Sequence, residues 1–159
     1  MGYVTIADLA RDRVSRVIAA GGTTPGDAAF RAFRLAPSSL RRWSGVADLS
    51  VDAYLEQLDA FADTMEPGWK PDNVVWEVAL REGLGLTAAV ERLGEDGATF
   101  RVSDEERGRA FTICLDDAVP ADAARRLGLG RDDLFICRAT ALDDTLSANL
   151  ALQCRLKVL

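Results

Sequence analysis

The sequence predicts an α/β domain of two or three layers, built on a mixed, partly parallel sheet with an added helical segment over residues 50–93. Three observations lead there. From Arg109 onward the chain reads strand, helix, strand, helix, strand, and such short spacings between strands imply crossover connections and a partly parallel sheet. Two alternating runs flank a polar turn, the pattern of an antiparallel hairpin. Further upstream, apolar residues recur at helical spacing behind recognisable caps.

In chain order, Thr5 is followed by Asp8, the pattern of a capping box, and Ile6, Leu9, Ala10, Val14, Val17 and Ile18 then recur helically up to Gly21 and Gly22. The opposite face carries Arg11, Arg13 and Arg16 and reads either as a solvated face or as one that contacts phosphate. Residues 21–28 are a loop, and Phe30 to Leu35 alternates as a half-buried strand should. Arg31, Arg34, Arg41 and Arg42 beside Trp43 form the most basic local stretch. Two readings stand for them: weak contact with a nucleic-acid backbone, or an exposed strand face anchored by one Trp.

Ser50 caps a second predicted helix with Val51, Tyr54, Leu55, Leu58, Phe61, Ala62 and Met65 on one side and acids on the other, ended by Pro67 and Gly68. Asp72 is expected to cap a third helix over residues 73–82, apolar enough all round to be central and buried. Gly83 and Gly85 end it, and a short helix is expected from Thr87 to Leu93. Residues 99–103 and 109–115 are the hairpin strands, with the turn at 104–108. Pro120 suits the first turn of a helix that runs to Gly128. A strand over 134–139, a helix capped by Asp143 or Asp144 and running to Gln153, and a strand over 155–159 complete the chain.

At 159 residues and 48% hydrophobic, the chain has material for one core, so a single domain over 1–159 is expected, with division into 1–45 and 46–159 as the alternative. Its net charge of −6 opposes nucleic acid overall, so any DNA contact must come from a local basic patch. Histidine is absent, which excludes Ser-His-Asp, Cys-His and His-metal sites. Cys114, Cys137 and Cys154 each lie in an apolar run without Cys-x-x-Cys spacing, so buried reduced thiols and a cytoplasmic protein are expected. No apolar run is long enough to span a membrane.

From Leu134 an apolar strand runs into a helix through Arg138, Ala139, Asp143, Asp144, Leu146, Asn149 and Gln153. In this order these residues resemble the closing motif of adenine-specific DNA methyltransferases, the modification subunits of type III restriction-modification systems. Cys137, Thr140 and Ser147 depart from it, standing where the family has Asp, Phe and Lys. The resemblance extends through the Thr5-Ile6 helix start, the run from Ala29 to Leu35 with Ser38, Ser39 and Trp43, and the stretch from Pro71 to Thr87. It maps onto the family's C-terminal portion and implies a catalytic core upstream.

That resemblance implies a non-catalytic domain serving subunit assembly. It implies a homodimer, a restriction subunit and DNA as partners of the full-length parent, and S-adenosylmethionine as the parent's cofactor, with no cofactor, metal or catalytic residue in this chain. The family's Asp-Pro-Pro-Tyr loop is missing, since the five prolines are never adjacent, and Gly83, Gly85, Gly128 and Gly130 follow predicted helices rather than strands. Self-association is also expected from the residues, because Tyr54, Phe61, Trp69 and Trp76 exceed what one core needs. The rival reading is a small enzyme or ligand-binding domain that uses the corner of Arg138 and Asp144, since ligands of open α/β sheets lie at carboxyl ends of strands. The resemblance marks Arg138, Asp143, Asp144, Asn149 and Gln153 without assigning them a role, and Arg138 with Asp143 or Asp144 reads alternatively as a structural ion pair that fixes the corner. The paired acids at 116–117, 132–133 and 143–144 are read first as caps.

Overall fold

The computed structural model describes residues 4–20, 30–42, 50–61, 63–94 and 97–159. The chain divides into two units, Met1–Pro37 and Ser38–Leu159.

In the first unit, α1 (Ile6–Ala20) starts as expected: Asp8 N–H donates to Thr5 Oγ1 at 3.1 Å, and Thr5 N–H donates back to Asp8 Oδ2 at 3.0 Å. The expected strand at Phe30 to Leu35 is not formed. Phe30 and Phe33 are exposed and Leu35 fully so, because alternation marks a face to bury but supplies no neighbouring strand to pair with. Trp43 and the expected loop at 21–28 lie outside the described residues.

The second unit is an α/β fold on a five-stranded sheet of β1 (Ala89–Arg92), β2 (Thr99–Asp104), β3 (Arg109–Cys114), β4 (Leu134–Cys137) and β5 (Arg155–Val158). The strands lie in sequence order. The first three pair antiparallel, and β3–β4 and β4–β5 pair parallel. Helices α4 (Ala123–Arg126) and α5 (Asp144–Gln153) connect the parallel strands. Two right-handed crossovers that step the same way across a sheet leave both helices on one face. The cores agree with this. Thr112, Cys114, Phe135 and Cys137 are buried, and all but Thr112 cluster with Ala123, Ala124 and Leu150 of those helices. The alternate positions Phe100, Val102, Phe111, Ile113 and Ile136 pack on α3 (Pro71–Arg81) through Val74, Val75, Val78 and Ala79. The unit is thus three-layered, helix, sheet, helix.

Four expectations are corrected. Thr87 to Leu93 does not form a helix: Val90 pairs with Val102 at the sheet edge, and this non-local ladder overrides the helix preference of Ala, Glu and Arg. The added helical segment therefore ends before β1. The second helix, α2 (Val51–Ala60), stops short of Met65, which turns back into the core and forms a bridge with Leu40. Ser39 C=O accepts from Glu66 N–H there at 2.9 Å, and Thr64 C=O accepts from Arg41 N–H at 2.8 Å. The third helix starts at Pro71 with Lys70 rather than Asp72 at its N-cap, and it buries one face only, leaving Leu80 exposed. Finally, Trp69 and Trp76 are not spare apolar surface, because both pack against the α3 side of the core.

Candidate functional site

Arg138 follows the carboxyl end of β4 in an extended conformation, ahead of a 3₁₀ turn at Ala139–Ala141. Its side chain runs inward and is 11% exposed. Nη1 pairs with Asp117 in the loop after β3, and Nη2 lies 3.3 Å from Asp63 Oδ2 in the loop after α2. The guanidinium carbon stands 5.6 Å from the Trp69 ring centroid, within range of a cation–π contact. Nε is buried without a hydrogen-bond partner. Both outer nitrogens are thus engaged by carboxylates, which makes the group a clasp between three loops.

The pairing of Arg138 with Asp143 or Asp144 is not what the structure shows. Asp143 is the N-cap of α5, its Oδ1 accepting from Leu146 N–H at 2.7 Å, and Asp144 lies in the first helical turn, where its charge favours the helix dipole. Asn149 and Gln153 stand one turn apart on the exposed side of α5, and Gln153 Nε2 donates to the Asn149 C=O at 3.1 Å. The candidate residues therefore share one strand, turn and helix without converging on one point.

The other acid pairs also bond to backbone. Asp133 Oδ2 accepts from Gly130 N–H at 2.7 Å, and Asp116 Oδ1 accepts from Ala98 N–H at 2.8 Å. Asp116 borders a feature that sequence reading missed, a cleft of about 340 Å³ at the carboxyl end of β3 lined by Thr99, Cys114, Asp116, Val119, Arg126 and Phe135 among others. The available signal was an acid pair directly after a strand that takes a parallel partner. In the cleft Asp116 Oδ2 accepts from Thr99 Oγ1 at 3.2 Å and from the Cys114 thiol at 3.5 Å. Burial pushes the Cys114 thiol up, so it is held neutral and is a poor nucleophile. Cys137 is pushed up to about 12 by burial, and Cys154 is raised for the same reason.

Of the candidate DNA contacts, Arg31 and Arg34 are exposed in the first unit, whereas Arg41 and Arg42 belong to the second. Arg41 is half-buried and lines a smaller cleft of about 240 Å³ beside Glu82 and Lys157, which form an ion pair. Among the described residues no group of three or more Cys, Asp or Glu is placed to hold a metal ion, and no helix is long and apolar enough to cross a membrane. No protein-family model matches the chain, and no curated protein or solved structure matches it either.

Proposed function

We propose that the chain is a non-catalytic C-terminal domain of an adenine-specific DNA methyltransferase of a restriction-modification system, acting in the cytoplasm, and that its work is subunit assembly. The observation that carries the reading is the run Arg138, Ala139, Asp143, Asp144, Leu146, Asn149 and Gln153, which falls on one contiguous piece of structure from the end of β4 to the end of α5. A motif kept in order on such a unit, with an inward Arg and an outward helix face, suits a docking element better than a reaction centre. The partners in this reading are a second copy of the chain and, through the full-length parent, a restriction subunit and DNA.

S-adenosylmethionine belongs to the parent in this proposal. Cofactor binding of that kind needs a glycine-rich turn between a strand and a helix, where backbone approaches the ligand. Gly94 and Gly97 instead flank the connection between antiparallel strands, and β3 and β4 run into Leu115-Asp116 and Arg138-Ala139. Among the described residues no glycine-rich turn links a strand to a following helix, which supports assigning the cofactor to the parent. Calorimetry with S-adenosylmethionine and a tritiated-methyl assay on duplex DNA test this, and both are expected to be blank. A saturable heat or incorporated label contradicts the reading.

A ligand-binding reading is favoured by one observation, the 340 Å³ cleft, whose size is that of a small-molecule site. It centres on Asp116 and not on Arg138 with Asp144, because Arg138 is engaged by Asp117 and Asp63.

A further inference from the structure

We propose that the cleft beside Asp116 binds a free α-amino acid with a large apolar side chain, Asp116 taking the ammonium group and Arg126 the carboxylate. The inference rests on the ligand-binding reading of that cleft and names its ligand class. Every lining residue lies between Leu93 and Phe135, within the second unit. Val119, Ala123, Leu127 and Phe135 give the lining an apolar part that suits a hydrocarbon side chain. The volume, about 340 Å³, is at the small end of ligand sites, which run from roughly 300 to 1,000 Å³.

Two charges in this cleft lack an opposite. Half-buried Asp116 accepts from Ala98 N–H, Thr99 Oγ1 and the Cys114 thiol, all neutral donors, and among the described residues no Lys or Arg pairs with it. A carboxylate offers about four lone-pair positions, so one acceptor position remains. Arg126 closes α4. Its neighbour Arg125 pairs with Asp122 at 3.2 Å, whereas the Arg126 guanidinium has no partner among the described residues. The acid and the Arg come from different elements and do not pair with each other, so a ligand that satisfies both carries a cation and an anion. An amine alone leaves Arg126 unmatched, and a carboxylic acid alone meets the charge of Asp116 as a repulsion. An α-amino acid holds ammonium, carboxylate and side chain on one carbon, and its carboxylate matches the guanidinium fork.

Amide NMR shifts of the full chain, followed through a titration, test the proposal. L-phenylalanine is expected to saturate and to shift the amides of Gly97, Thr99 and Leu127. Phenethylamine, which lacks the carboxylate, and hydrocinnamate, which lacks the ammonium, are each expected to bind about tenfold more weakly. Arg126→Met, altered at an exposed side chain, should weaken phenylalanine by about tenfold and leave phenethylamine unchanged. Asp116→Asn should weaken phenylalanine and not hydrocinnamate. Analogues that bind as tightly as phenylalanine, or an Arg126→Met variant that binds it like the wild type, overturn the amino-acid assignment while the ligand-binding reading stands. If phenylalanine does not bind, the assignment fails, and neutral one-ring fragments decide that reading separately: shifts at the same amides keep it, and none removes it. If Asp116→Asn loses its fold, the analogues and Arg126→Met decide alone.

Discussion

Arg138 Nη2 lies 3.3 Å from Asp63 Oδ2 although the two residues are 75 positions apart. The contact closes the loop after α2 onto the end of β4, with Trp69 beneath the guanidinium. The two partners are unequal: the Arg side chain is 11% exposed and the Asp side chain 46%. Removing Arg138 costs the buried stem and the stack, whereas a half-exposed carboxylate rehydrates. Arg138→Ala is therefore expected to destabilise by about 1–3 kcal/mol, and Asp63→Ala by less than about 1 kcal/mol. Urea unfolding measures both, and an Asp63 variant that costs more than the Arg138 variant contradicts this account of the clasp.

Asp104 ties the end of β2 to the loop after α3. The Gly85 N–H bond at 2.6 Å, helped by Arg107 through its backbone N–H and its guanidinium, holds the carboxyl below the usual carboxylate range. A depressed folded pKa contributes stability above the unfolded value, near 3.8, and that stability is lost as pH falls through the folded value. Acid should thus weaken the wild type below about pH 4, and Asp104→Asn should flatten that part of the curve. Urea midpoints taken from neutral to strongly acidic pH decide it; identical acid slopes for the two proteins would count against the role.

The three thiols are buried and free. With Cys137 near 12 and Cys114 and Cys154 raised by burial, thiol reagent at mildly alkaline pH should find no thiolate in the folded chain and three in denaturant. Stability should fall between pH 9.0 and about 12, because the unfolded Cys137 thiol ionises there while the folded one stays protonated. Rapid labelling of Cys114 in the native protein, followed by mass spectrometry, would show that the cleft is open to reagent and its thiol reactive.

Gly83 ends α3 with φ +80°, and a Cβ built there meets Arg109 Nη1 at 2.5 Å, the nitrogen that donates to the Glu82 carbonyl. Gly83→Ala is expected to cost about 1–2 kcal/mol from the left-handed backbone alone. Gly130→Ala, at ordinary φ and with its nearest neighbour 3.5 Å away, should stay within about 0.5 kcal/mol. Thermal melts of the pair check the difference.

What could be read beforehand was local chemistry. The Thr5 and Asp8 box, the cap at Asp143 or Asp144 and the hairpin turn near 104–108 are set by residues within three or four positions; the box stands as read, Asp143 is the cap, and Asp104 ends β2 just before the turn. The mixed sheet followed from connection lengths. Misreadings came where a distant partner decides: Val90 is a strand residue because Val102 lies beside it, and Met65 leaves its helix because Leu40 and the α3 core accept it. The same limit applies to the site. Arg138 was legible as a corner residue, but its acids come from positions 63 and 117, and no spacing near Asp144 signals them.

An assembly domain should pair with itself, and the mass of the wild-type chain in solution reports that pairing. Light scattering after size exclusion should give twice the 17.2 kDa of one chain at high-micromolar concentration, falling toward one chain on dilution. A single 17.2 kDa species across that whole range would contradict a role in assembly.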